Sequence, residues 1–298
     1  MPNTLVHFAA QGAASHALWR RLDPRWVYLG CLLPDLPWIL RRAAVGVGLP
    51  VDGFDLRLYT MAQASLSGTL LLCGALALLT AAPRLVLAVL GSNALLHLLL
   101  DATEVKWGNG VHLLAPFSWR MTSFGFLPGE SVVYLALAIA GALLLAWEIA
   151  GPRRPTRGLD LRPARLAAAG ALLAAYFLAP LPFLGAIFAS DSYSVKTLRE
   201  VQARPGRTVG LDRTAFVARP AGGSIRLWTG EEVRATGPLP AHDATVSLYG
   251  TFLAPDVLRV DRLVEHRQNR DWPSYLALVL LAAVWARPLL GASPPRAR

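Results

Sequence analysis

What most limits the folds open to this chain is a set of long stretches without a charged residue. Leu58–Pro83, Ser131–Trp147 and Leu166–Ser190 contain no Asp, Glu, Lys or Arg, and Leu66–Leu79 is almost entirely Leu, Ala, Gly and Cys. About 20 apolar residues cross a hydrocarbon core, with roughly 17 as the lower end, so all three runs read as spans. Leu85–Leu100, interrupted only by His97, and Trp272–Ala286 are shorter. They need snorkelling Arg side chains or protein cover to span. Over 298 residues, 54% hydrophobic and 16% charged, the chain falls well below the quarter charged of an average soluble domain. Disorder is excluded, because this much apolar surface does not stay solvated. The expected class is mainly α, a polytopic membrane helical bundle; five such runs fit poorly with buried helices of a soluble protein.

Two further segments have their own character. Trp26–Arg42 is apolar but carries Pro34, Asp35 and Pro37 in its centre, which predicts a bend, a re-entry or burial inside the protein. His7–Leu22 reads as a short amphipathic helix and lacks the basic start and cleavage site of a signal peptide. The net charge of +10 would suggest nucleic acid on a soluble protein, but its densest part is a loop between runs. Arg153, Arg154, Arg157, Arg162 and Arg165 place residues 151–165 in the cytoplasm by the positive-inside rule. The run 166–190 then leads out, and 191–271, close to neutral, lies outside. The last run and tail, 272–298, return with Arg287, Arg296 and Arg298 inside. By the same count Asp101–Glu130 is outside and Ala81–Arg84 inside. The first 57 residues would then be outside, against the pull of Arg20, Arg21, Arg25, Arg41 and Arg42. The expected location is the bacterial inner membrane, with membrane lipids as surroundings.

Residues 205–266 change to period-2 alternation. Thr208–Val217, Ser224–Trp228, Glu232–Thr236, Thr245–Phe252 and Val257–Val264 read as strands, punctuated by Gly222-Gly223, Thr229-Gly230 and Gly237-Pro238. Five short strands suggest a small β-barrel or sandwich, loosely OB-like. Balanced charge and the lack of an evident stacking platform argue against nucleic acid, and favour a structural or partner-binding domain at the membrane surface.

The chemistry concentrates early. Cys31 and Cys73 lie in apolar helical segments and read as small core residues. Of six His, four (His7, His16, His97, His112) fall in the first 112 residues, together with Asp35 and Asp101 in apolar surroundings. Ionisable groups at membrane depth point to function. In His97-Leu-Leu-Leu-Asp101 the two polar residues are four apart on one helix face, so imidazole and carboxylate can converge on one divalent ion. A buried structural His–Asp pair is the alternative. A Gly108-Asn109-Gly110 turn then brings His112 back towards that helix end. Asp35, in Gly-Cys-Leu-Leu-Pro-Asp-Leu-Pro-Trp, projects from a helix break or caps the next helix. His16 shares the face of His7 about two and a half turns on. His242 and His266 lie in the β-rich insert without metal-like neighbours.

The order His7, then Gly30 with Leu32–Asp35, then His97 with Asp101, then Gly110-Val111 through Leu113, Leu114, Pro116 and Trp119 resembles the YdjM-like family of bacterial inner-membrane metal-dependent hydrolases. That family is in turn similar in motif order to zinc-dependent phospholipase C enzymes. The resemblance covers roughly residues 1–150. It implies a metal site, most simply zinc, on His7, Asp35, His97, Asp101 and His112, with Asp35 and His112 in catalytic roles. It also implies hydrolysis of a phosphoester or lipid-like substrate by metal-activated water. Two departures stand out: Trp38 lies near a position where the family commonly has His, and the segment Leu58–Leu66 lacks two family His, with Gln63 a poor replacement. A competing expectation is therefore a non-catalytic membrane scaffold that holds a protein partner on its β domain. A transporter is less well supported, since no two halves repeat.

Overall fold

Most helices of this chain start where a Pro, Ser or Asp side chain settles the first turn. The structure is a computed structural model and describes residues 3–18, 23–151, 158–220, 222–267 and 272–286. Its helices are α1 (Thr4–Leu18), α2 (Pro24–Leu32), α3 (Leu36–Gly46), α4 (Gly53–Gln63), α5 (Leu66–Leu78), α6 (Pro83–Thr103), α7 (Val132–Ala150), α8 (Pro163–Leu178), the short α9 (Leu184–Ala189) and α10 (Val195–Arg199), and α11 (Trp272–Ala286). Pro24, Pro83 and Pro163 open α2, α6 and α8, where a missing N–H is no loss. Ser131 caps α7 by accepting from the Tyr134 N–H at 3.4 Å.

The apolar runs and the helices do not coincide everywhere. The run Leu58–Pro83 is not one straight span: α4 and α5 meet at 66°. Ser65 makes the break, its hydroxyl donating to the Ala62 carbonyl at 2.6 Å and accepting from the Gly68 N–H at 3.2 Å. It ends one helix and caps the next. The short run Leu85–Leu100 grows in the opposite direction, because Arg84 and Asp101 continue the helix at its two ends. At 21 residues, α6 is long and apolar enough to cross a membrane, as are α7 and the stretch Pro163–Ala189. The α4–α5 pair qualifies only as a bent unit, and α11 stays at 15 residues. The segment Trp26–Arg42 is interrupted at Leu33–Asp35, a 3-10 turn between α2 and α3, as its two prolines require.

α1 is the expected helix in the N-terminal stretch, and both its apolar and its polar residues are buried. It buries Leu5, Val6 and Phe8 together with His7, Gln11 and Ser15, packed among α7, α2, α6 and α11. Polar residues at apolar depth look like a hydrophilic face only until other polar groups meet them. Gly141 of α7 permits the close fit, since a Cβ there would run into the Leu5 carbonyl.

The bundle has two distinct ends. At one, the main chain of Leu79 and Thr80 pairs with Leu159 and Asp160, and Arg165 donates to the Thr80 carbonyl at 2.5 Å. Arg25 lies over Trp285 at this same end. Arg162 and Arg165 both contact Asp160; Arg153, Arg154 and Arg157 lie outside the described residues, as do Arg20, Arg21, Arg287, Arg296 and Arg298. The other end carries Asp35, Asp101 and the β domain. The first 57 residues therefore do not lie at one end: α1 and α2 run down and back, leaving Arg25 at the first end and Arg41 at the second.

Five strands, β1 (Thr208–Arg219), β2 (Gly222–Arg226), β3 (Glu232–Thr236), β4 (Ala244–Ala254) and β5 (Val257–His266), close into a barrel in the order β1-β2-β3-β5-β4. β3 and β5 form its one parallel pair. Alternate residues fill it, among them Phe216, Ile225, Val246, Leu248, Phe252 and Leu258. Each such side chain contributes about 1.5–3 kcal/mol of burial. The barrel is seated on the loop after α6. Gly108 and Gly210 meet main chain to main chain, so that a Cβ on either would collide with the other. The Tyr249 hydroxyl accepts from the Gly108 N–H and donates to the Lys106 carbonyl, both at 3.1 Å.

Candidate metal centre

Two helices and a turn bring the early polar residues together. His7 comes from α1, His97 and Asp101 from one face of α6, and Asp35 from the turn between α2 and α3. The imidazoles of His7 and His97 stack with centroids 3.8 Å apart and planes within 9°. His7 Nε2 lies 3.3 Å from Asp101 Oδ1, and His97 Nε2 lies 3.7 Å from Asp101 Oδ2 and 3.6 Å from Asp35 Oδ1. His7, His97 and Asp101 are fully buried. One ligand atom from each lies within 4.8 Å of the others, so the three form a group that could hold a metal ion.

The surrounding hydrogen bonds orient these groups. His97 Nδ1 lies 2.6 Å from the Cys31 carbonyl oxygen. A carbonyl only accepts, so Nδ1 carries a proton and Nε2 is the nitrogen turned to the carboxylates. A backbone acceptor behind a ligating imidazole is the usual support for a metal ligand. His7 Nδ1 meets the Gln11 side-chain amide at 3.1 Å, which serves either tautomer depending on which way the amide is turned. Neither His7 Nε2 nor His97 Nε2 nor either Asp101 oxygen has a hydrogen bond of good geometry. Buried polar atoms are normally satisfied; four orphans converging from three residues fit a divalent cation.

Asp35 precedes α3 but makes no capping bond. Its carboxylate faces His97 and keeps 18% of its side-chain surface exposed, the open side of the group. A cavity of about 20 Å³, room for one water or ion, lies between Asp35, Trp38, His97, Asp101, Lys106 and His112. His112 thus shares the cavity but stands outside the mutual His7–His97–Asp101 set. Burial pushes its imidazole down to about 4, weakly opposed by the main chain of Trp119. Trp38 occupies the cavity wall and packs on Tyr193 at 5.3 Å. Gln63 is buried and bonded to the Tyr59 hydroxyl at 3.4 Å.

The remaining His are elsewhere. His16 pairs with Glu148 at 2.7 Å, His242 with Glu265 at 3.3 Å, and His266 bridges Glu130 at 3.0 Å and Ser247 at 2.7 Å. Cys31 and Cys73 are buried and free. Two residues not singled out from the sequence complete the surroundings. Lys106 lies 3.1 Å from Glu104; burial alone would lower its ammonium, but the carboxylates of Asp101 and Glu104 outweigh this and hold it above its usual value. Tyr193 donates to the Gly110 carbonyl at 2.8 Å and is pushed by burial up to about 12. Lys106, five residues beyond Asp101, could have been found from charge; Tyr193 arrives from the far side of the chain and left no local signal. Compared with family models, with curated proteins and with solved structures, the chain gives no match.

Proposed function

We propose that this chain is a membrane-embedded, metal-dependent hydrolase acting on a phosphoester of a lipid or lipid-like molecule. One observation carries the reading: His7 Nε2, His97 Nε2 and the Asp101 carboxylate, all buried and without hydrogen-bond partners, converge on one another, and His97 and Asp101 also line a cavity that opens past Asp35. These residues, with Asp35, would hold the ion, zinc being the first candidate for a nitrogen and oxygen donor set. When bound, such an ion lowers the pKa of water towards about 7 and offsets charge on an attacked ester. The Cys31 carbonyl and the Gln11 amide keep the two imidazoles in place. Asp35, the partly exposed carboxylate, is positioned to take a proton from water. His112 is uncharged at neutral pH and serves as a ligand or hydrogen-bond donor, not as a reservoir of protons.

Placement in the bacterial inner membrane is supported by outward-facing apolar side chains on α7, with Val132, Leu135, Ile139 and Leu143 exposed. It is also supported by the two ends of the bundle. The basic segment meets the α5–α6 turn at one end, on the cytoplasmic side, while the loop after Asp101 meets the barrel at the other, on the outer side. The barrel, with its 1-2-3-5-4 order, is OB-like.

A second reading, a non-catalytic scaffold whose barrel holds a protein partner, is favoured by Trp38 in the cavity wall. Metal analysis and phosphodiesterase assays on purified protein separate the two. The hydrolase is expected to retain metal and to lose both metal and turnover in His97→Ala. A wild type without metal overturns it, and a His97→Ala that loses only folding yield favours the scaffold.

A further inference from the structure

A second and larger cavity, about 180 Å³, lies in the seam between the barrel and the helical bundle. Its walls come from α4 (Arg57), from the loop after α6 (Trp107, Asn109), from Tyr193 and from the barrel (Arg213, Trp228). Asn109 and Tyr193 also line the cavity beside His97 and Asp101, so the two spaces share a wall.

Four charged side chains line this seam: Arg57, Arg213, Arg226 and Asp212. Arg226 is paired with Glu232 at 2.9 Å. Asp212 already accepts from Asn109 Nδ2 at 2.9 Å and from the Ser247 hydroxyl at 2.8 Å. No carboxylate among the described residues pairs with Arg57. Aromatic faces hold it instead: its guanidinium lies 4.2 Å from the Trp228 ring centre and 5.3 Å from that of Tyr193. Its buried Nε has no hydrogen-bond partner. Arg41 adds a second guanidinium over the other side of this cluster, 5.8 Å from Trp228. Stacking fixes the plane of a guanidinium while leaving its N–H edge available, the arrangement suited to a phosphate oxygen pair. Arg213 reaches the same space from a β-bulge in β1, with φ of 56° in the left-handed region that a non-glycine residue occupies at a cost. The bulge directs that side chain to the cavity wall rather than along the strand face.

We infer that the seam cavity is a binding site for the phosphate group of a small ligand, held by Arg57 and Arg213 between Trp107, Trp228 and Tyr193. This deepens the phosphoester reading above, on which its link to chemistry rests, but the binding itself requires no metal. The phosphate belongs either to free inorganic phosphate or to a headgroup. Calorimetry of the full-length protein in detergent micelles, with inorganic phosphate and with glycerol 3-phosphate as separate probes, tests it. Saturable binding is expected, weakened at least about tenfold in Arg57→Gln and retained in His97→Ala. Arg213→Gln, in the barrel wall, is the second variant should Arg57→Gln fail to fold. Equal binding of both probes assigns free phosphate; binding of glycerol 3-phosphate alone assigns a headgroup. The inference is overturned if neither probe binds, or if both Arg variants bind like wild type. Binding lost in His97→Ala but kept in Arg57→Gln also overturns it, and would move the phosphate to the metal centre while leaving the hydrolase reading intact.

Discussion

Arg204 and Asp101 are both charged and both almost wholly enclosed, yet their surroundings differ in kind. Arg204, at the base of the barrel and 1% exposed, makes four hydrogen bonds from its two terminal nitrogens: two to Glu231 at 2.6 Å, one to the Leu198 carbonyl at 2.6 Å and one to the Pro255 carbonyl at 2.9 Å. Asp101, at the end of α6, has two imidazoles and an ammonium nearby but no hydrogen bond of good geometry to either oxygen. A buried charge whose terminal nitrogens are all bonded, with Arg204 Nε alone lacking a partner, belongs to the architecture. One whose partners converge without closing is built to receive something. The barrel and the bundle thus use buried polarity for different ends, and that difference locates function more firmly than any single motif.

The contrast can be broken at several points. The largest effect is expected from Arg204→Met, which leaves two carbonyls without a donor, while Glu231, 36% exposed, turns to water; the barrel should lose about 3–5 kcal/mol, roughly 1–3 for each unsatisfied group plus lost packing, read from urea unfolding. Unfolding midpoints that match wild type would show that Arg204 is not structural.

Next comes His112. Its folded pKa of about 4 lies below the ordinary 6.5, so the unfolded chain binds more protons in between. The stability this residue contributes is complete above pH 6.5 and is lost as pH falls towards 4, about 3 kcal/mol in all. His112→Gln should flatten that part of the stability–pH curve; an unchanged slope would place His112 in a wetter environment.

The smallest effect is expected at Asp101. In chelator-treated protein, Asp101→Asn should cost under about 1 kcal/mol, because it removes a buried charge that no closed network satisfies. A loss as large as that of Arg204→Met would make the site a structural ion pair and remove the contrast.

Much of the architecture was legible because it rests on patterns along the chain. Alternation gave all five strands to within a few residues at their ends, and glycine marked the turns: Gly237, for one, has a φ of 103° that other residues rarely adopt. The apolar runs located the long helices. Their lengths were less legible, because a charge ends a run but not a helix: Asp101 continues α6, while uncharged Ser65 breaks what looked like one span. The site was legible where its spacing is local, as in His97 and Asp101. His7 stood as an isolated imidazole in an apolar stretch; what makes it a partner is a stack across helices, 3.8 Å from His97. Likewise, nothing near Arg57 in sequence announces Trp228, and the seam cavity exists only once barrel and bundle meet.

The facing glycines at 108 and 210 have a mechanical consequence. Main chain lies against main chain here and the Tyr249 hydroxyl bridges two peptide groups, which makes this a stiff contact. A force or a docked partner that tilts the barrel is transmitted to the loop holding Lys106, and through it to the last turn of α6, instead of dissipating in a tether. The barrel is coupled to the polar cluster as a lever is to its fulcrum.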